Sequence, residues 1–172
     1  MDVRFCPLVS GSSGNSTYIG SGNTHILIDA GVSCKQIVEH IGELGVAPGD
    51  IDAVFITHEH IDHIKGIGVL ARKYRIPLYA TPGTWQGIGK TVGDIPEESV
   101  RYVYPGSMTL VGGLCVKPFS IPHDAAEPVG YSVFTDNRKL TVATDIGCPT
   151  EEIKENIYDS DVLLLEANHD VD

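Results

Sequence analysis

The segment Thr57-His58-Glu59-His60-Ile61-Asp62-His63 constrains this chain more than any other stretch. Three imidazoles and the Asp62 carboxylate fall together, directly after the apolar, β-branched run Ile51–Ile56. Imidazole is a good ligand for zinc, and carboxylate suits zinc, iron or manganese. His58 and His60, two apart in an extended or turn segment, can converge on one ion. Asp62 and His63 lie where a helix begins and can serve a second. Two ions held close together activate a water and stabilise a leaving oxygen. A histidine cluster can also be an inert surface feature, but four ligand-type side chains this close at a strand end favour the metal reading. The spacing is not that of a zincin, because His58 is followed four residues later by Asp62 rather than by a second histidine. Glu59 therefore inherits no role as general base and is expected to face solvent or brace the loop.

A two-ion site needs ligands from distant chain, and few candidates exist. His123 in Ser120-Ile121-Pro122-His123-Asp124 and Asp145 in Ala143-Thr144-Asp145-Ile146-Gly147 each sit just past an expected strand. Their bland readings are a turn histidine and an Asx turn. His25 and His40 read as structural. His169, beside Asp170 and Asp172, reads as a chain-end residue more than as a late ligand. The turn-rich loop Gly11-Ser12-Ser13-Gly14-Asn15-Ser16 offers Ser12, Ser13 and Asn15 as substrate contacts, or serves only as a tight structural turn.

The rest of the chain reads as many short strands with a few helices. Residues 3–9 form a strand, and Thr17–Gly20 with His25–Asp29 form a hairpin turned at Ser21-Gly22-Asn23. Apolar spacing at Ile37, Val38, Ile41 and Leu44 predicts a helix over 33–44, capped by Ser33 and stopped by Gly45. Helices are expected over Ile64–Lys73, Thr84–Lys90 and Thr150–Ile157, the last capped by Thr150. Further strands are expected at Leu78–Ala80, Val100–Tyr104, Met108–Val111, Cys115–Ser120, Gly130–Thr135, Lys139–Ala143 and Asp161–Glu166. This order is not a regular βαβ alternation. It suits two sheets packed face to face with helices outside, an α+β fold in a single domain over residues 1–172.

Composition narrows the class. Hydrophobic residues make up 42% and charged residues 20%, which marks an ordinary globular chain. No apolar run approaches 18 residues, and the N-terminal segment lacks the pattern of a signal peptide, so no membrane partner is expected. Cys6, Cys34, Cys115 and Cys148 are widely spaced, match no Cys-x-x-Cys pattern and read as buried strand or turn residues in a reducing cytoplasm. The formal charge of −11 is awkward for an enzyme of nucleic acids, since basic faces supply much of their affinity. Part of that excess lies where cations would bind, and Lys65, Arg72, Lys73 and Arg75 form the one tight basic cluster.

The motif resembles the Thr-His-x-His-x-Asp-His signature of the metallo-β-lactamase superfamily. The opening Ser-Gly-Ser-Ser-Gly-Asn-Ser, Ile-Leu-Ile-Asp-Ala-Gly at 26–31, the stretch 56–66 and Leu-Leu-Leu-Glu-Ala-Asn-His-Asp at 163–170 are similar to its branch of YycJ/WalJ-like exonucleases. The resemblance implies an αββα sandwich of two mixed sheets with outer helices and the site at the sheet edge. It implies a first ion on His58, His60 and His123, a second on Asp62 and His63, and Asp145 bridging both. It also implies a metal-dependent phosphodiester hydrolase, an exonuclease on DNA more than on RNA, with Asp62 aiming the water. The cofactors would be two divalent ions, zinc or manganese, with iron also compatible. Members of that branch continue further and supply another histidine near the C-terminus, so the expectation is either a C-terminally truncated sandwich or a second ion held by fewer protein ligands. Two other readings stand beside the nuclease: a small-molecule hydrolase of thioesters, lactones or lactams with the same fold, and a non-catalytic metal-bound scaffold or nucleic-acid-binding protein. Oligomeric state is left open.

Overall fold

The computed structural model of the protein describes residues 2–167. Strands β1 (Val3–Val9), β2 (Ser16–Ser21), β3 (Thr24–Ile28), β4 (Ala53–Phe55), β5 (Leu78–Ala80) and β6 (Val100–Tyr102) form one sheet in that spatial order. β1 to β3 run antiparallel, and β3 to β6 run parallel. Strands β7 (Thr109–Val111), β8 (Leu114–Ser120), β9 (Val129–Phe134), β10 (Lys139–Ile146) and β11 (Val162–Ala167) form a second sheet in the order β11-β10-β9-β8-β7. Only the β10–β11 pair is parallel there, so both sheets are mixed.

Three apolar layers separate four layers of structure. Helices α1 (Cys34–Glu43), α3 (Ile67–Tyr74) and α4 (Pro82–Ile88) contribute Ile37, Ile41, Leu70 and Ile88 to a core that includes Tyr18, Leu27, Val54 and Leu78 of the first sheet. Ile19, Ile26, Ile28 and Phe55 point the other way and meet Val116, Tyr131, Val133 and Val142 between the sheets. Helix α5 (Glu151–Ile157) places Ile153 against Phe119, Ile121, Ala143 and Ile146 on the far side of the second sheet. Side chains alternate faces along a strand, so a sheet covered on both faces needs the near-continuous apolar runs seen in β3 and β4. Each fully buried side chain of this size contributes about 1.5–3 kcal/mol. The result is the expected αββα sandwich. No helix of the described residues is long and apolar enough to cross a membrane.

The capping assignments hold. Ser33 makes a capping box with Gln36, and Thr150 accepts a hydrogen bond from the Ile153 amide. Helix α4 starts two residues earlier than expected, because Thr81 caps it with Pro82 in its first turn. The expected helix over 64–73 is instead two pieces, α2 (Ile61–Ile64) and α3, broken at Lys65-Gly66. Continuity would need the Gly66 amide to donate to the Asp62 carbonyl. That carbonyl accepts from Asn15 N at 2.8 Å, and Gly66 N donates to Ala30 O at 2.8 Å. The cysteines also depart from expectation. Cys34 opens helix α1 and Cys148 is exposed. His169, Asp170 and Asp172 lie outside the described residues.

Candidate metal centre

Parallel pairing of β3 with β4 sets the site. It brings the end of β3 beside the end of β4, with Asp29 N donating to Phe55 O at 2.8 Å. Asp29 takes a positive φ of 62°, a conformation that Asp adopts more readily than most residues. Its buried carboxylate then accepts from Thr57 N at 2.8 Å and from the Thr57 hydroxyl at 2.7 Å, and it meets His63 Nδ1 at 2.7 Å. One carboxylate thus closes the loop between the strand and helix α2.

This bonding fixes which imidazole atoms face the cleft. The Thr57 hydroxyl donates to Asp29, so it accepts from His58 Nδ1–H at 3.0 Å. His58 Nε2 is left as a lone pair, buried and without a hydrogen-bond partner. His63 Nδ1 is committed to Asp29, which turns its Nε2 toward Asp145 Oδ2 at 2.9 Å. His58 Nε2 lies 3.8 Å from the same Asp145 oxygen. On the other side, His60 Nδ1 lies 3.3 Å from His123 Nε2.

Ligand atoms of His58, His60 and His123 all lie within 4.8 Å of one another, and so do those of His58, His63 and Asp145. Asp62 completes neither group of three. Its Oδ2 lies 3.6 Å from His63 Nε2 and 3.4 Å from the Asn15 amide nitrogen. An unpaired buried imidazole nitrogen beside nitrogen and carboxylate donors is the arrangement that borderline divalent cations satisfy, so the residues fit a metal.

Electrostatics separate the histidines. Burial holds His58 down to about 2, helped by the neighbouring His63, His123 and His60, so it is neutral. Burial alone would lower His63 as well, but the Asp29 and Asp145 carboxylates override it and raise His63 to about 10. In the metal-free protein His63 therefore carries a proton between two carboxylates.

Asp145 was expected just past its strand. β10 in fact runs on to Ile146, and the register shifts between Ala143 and Ile146. Asp145 sits in that irregularity with φ of 55°. A bulge re-aims a side chain, and here Asp145 lines the cleft. The cleft encloses about 310 Å³ and is lined by Gly11, Ser12, Asn15, His60, Asp62, His123, Asp145 and Glu166.

Ser12 reaches the cleft, whereas Ser13 is exposed and does not line it. Asn15 is buried, and its amide is oriented by Gly11, whose N–H donates to Oδ1 and whose carbonyl accepts from Nδ2. Nδ2 then faces Asp62 and His63. His25 Nδ1 pairs with the Tyr18 hydroxyl at 2.7 Å, away from the cluster. Two residues escaped the sequence reading. Asp29 and Glu166 each end an apolar strand with a carboxylate, the one available signal. Glu166, which pairs with the Ser10 hydroxyl, lines the cleft. Glu59 braces rather than faces solvent, accepting from Ala126 N at 2.8 Å.

A family model for the beta-lactamase superfamily domain matches residues 24–171. Exodeoxyribonuclease YycJ of Bacillus anthracis is 38% identical over 172 residues, covering 100% of this chain and 65% of that protein. Exodeoxyribonuclease WalJ of Streptococcus pneumoniae is 38% identical over 171 residues, covering 98% of this chain and 64% of its own. The chain thus spans slightly less than two thirds of the curated relatives it matches. A metallo-β-lactamase from Cronobacter sakazakii superposes with a TM-score of 0.73 at 22% identity, over 91% of this chain and 74% of that one. With its sandwich, its strand-end histidine motif and this family match, the chain belongs to the metallo-β-lactamase superfamily.

Proposed function

We propose that the full protein is a metal-dependent phosphodiester hydrolase acting as an exonuclease on DNA. The observation that carries this reading is the convergence of His58, His60, Asp62, His63, His123 and Asp145, with His60, Asp62, His123 and Asp145 lining one cleft and His58 and His63 buried beside them. The similarity to proteins named exodeoxyribonucleases supports DNA as substrate. His58, His60 and His123 would hold one divalent ion, and Asp62, His63 and Asp145 a second, with zinc or manganese the best suited and iron compatible. Bound ions would supply Lewis acidity and a water nucleophile at neutral pH.

The chain's own groups do the rest. Asp62, steadied by the Asn15 amide, accepts a hydrogen bond from the attacking water and aims it. Ser12 stands at the rim to contact the phosphate. Among the described residues no Lys or Arg lines the cleft, so bound cations would answer the phosphate charge. Every lining residue except Gly11 has a polar side chain, which favours a phosphodiester over the apolar pocket that a lactam or thioester hydrolase would use. A reducing cytoplasm belongs to the same proposal and rests on four free cysteines.

The test is a substrate panel for the full protein with manganese or zinc: end-labelled linear DNA, circular DNA, matched RNA, a thioester and a lactam. Linear DNA should shorten from an end, circular DNA should survive, and Asp62→Ala should cut at least roughly 100-fold more slowly. Turnover of the thioester or lactam alone sinks the nuclease reading. DNA that is bound but never cut with either metal supports the scaffold instead.

A further inference from the structure

His123 is the one member of the three-histidine group that comes from the second sheet, on the 121–128 loop between β8 and β9. Its place relative to His58 and His60 therefore depends on what ties that loop to the first sheet. One backbone bond crosses to the first sheet, Val129 N donating to Thr57 O at 3.0 Å, while Gly147 N donating to Pro122 O at 2.8 Å holds the loop to the end of β10 in its own sheet. Neither grips 123–127, the stretch that carries the histidine.

Two carboxylates do. Glu59 lies between His58 and His60, with its side chain on the loop and Oε1 accepting from Ala126 N at 2.8 Å. Glu127 reaches the other way, with Oε2 accepting from Gly83 N at 2.7 Å. The Glu127 carbonyl accepts from the Thr81 and Thr84 hydroxyls at 2.9 and 3.3 Å. Both carboxylates bear on helix α4. A Cβ at Gly83 would come within 2.5 Å of Glu127 Cβ, and a Cβ at Gly87 within 2.5 Å of Glu59 Cγ. Gly83 and Gly87 are four apart and share one helix face. The helix is anchored by Trp85 Nε1, which donates to Arg101 O at 2.9 Å, and by the buried Ile88.

We propose that Glu59 and Glu127 are positioning residues that register His123 against His58 and His60, using the glycine face of α4 as their backstop. Glu59 is suited to this because it shares a backbone segment with two of the ligands and hydrogen-bonds the loop of the third. A shift of α4 is passed to the His123 loop through these two side chains. The inference rests on the reading that the three histidines hold an ion.

The test uses cobalt(II) in the full protein, whose visible bands report ligand number and geometry, together with chelator-competition affinity. Glu59→Ala should weaken cobalt binding about 10- to 100-fold and alter the bands, as expected for losing a group that orients a ligand. Glu59→Gln keeps an acceptor for Ala126 N and should recover most of the affinity. Gly87→Ala, which pushes on Glu59 while leaving every hydrogen-bonding group in place, should shift the bands in the same sense as Glu59→Ala. Thermal unfolding of each chelator-treated variant identifies a chain that has simply failed to fold. Wild-type affinity and bands in a folded Glu59→Ala overturn the proposal alone. If His123→Ala binds cobalt like the wild type, the three-histidine reading falls and takes this inference with it.

Discussion

The two halves of the cluster are built by opposite means. The His58, His60 and His123 half draws on one short segment and one loop, and His58 offers a buried lone pair with no proton to lose at neutral pH. The Asp62, His63 and Asp145 half draws on four parts of the chain, counting Asn15 and Asp29, and its imidazole is held charged up to about 10. The first half is a ready set of acceptors. The second must exchange a proton for a cation. The same ligand types therefore differ in readiness because of what stands behind them.

Asp29 braces both halves, through Thr57 to His58 and directly to His63, so its removal should have the largest effect. Asp29→Ala strands the Thr57 amide and hydroxyl and His63 Nδ1, all buried, and should destabilise the protein by about 3–5 kcal/mol in urea unfolding. A loss under about 1 kcal/mol would mean that neither half leans on it. Asn15→Ala touches only the second half. It should weaken the weaker of two manganese-binding steps about 10-fold while sparing the tighter one, as measured by calorimetric titration. Equal losses at both steps would erase the distinction between the halves.

The smallest effect sharpens the proton difference. His63 has a folded pKa of about 10 against an ordinary 6.5, so between those values the native chain holds a proton that the unfolded chain does not. That contribution is complete below 6.5 and is lost as pH rises through 10. The melting temperature of chelator-treated protein should therefore fall across this window, and a divalent ion that displaces the proton should flatten the slope. A slope unchanged in His63→Gln would assign the effect elsewhere. Below 6.5 His58 acts in the opposite sense, because the unfolded chain gains a proton that the buried ring refuses.

Legibility from sequence tracked how local each feature is. The histidine motif, His123 and Asp145 stand out because ligand-type residues at strand ends are rare, and the order of many short strands with few helices carried the layer architecture. Asp29 was illegible because one aspartate before Ala-Gly resembles any strand-ending turn until β4 pairs beside it. Gly66 looked like a helical interior because nothing local shows that Asn15 takes the Asp62 carbonyl. Glu59 lay inside the motif, yet its partner Ala126 is 67 residues away. Long-range hydrogen bonds between loops leave no periodic trace.

Gly31 carries a last consequence, for redesign. A side chain there would place its first carbon 1.6 Å from the Asp62 carbonyl and 2.6 Å from Asn15 N. Positions 15, 31 and 62 are thus interlocked by backbone rather than by exchangeable side chains. Loop grafting aimed at new substrates has room at the Ser12-Ser13 tip, where both residues are exposed. A graft that crosses Asn15 would import a foreign backbone path into a joint with no slack.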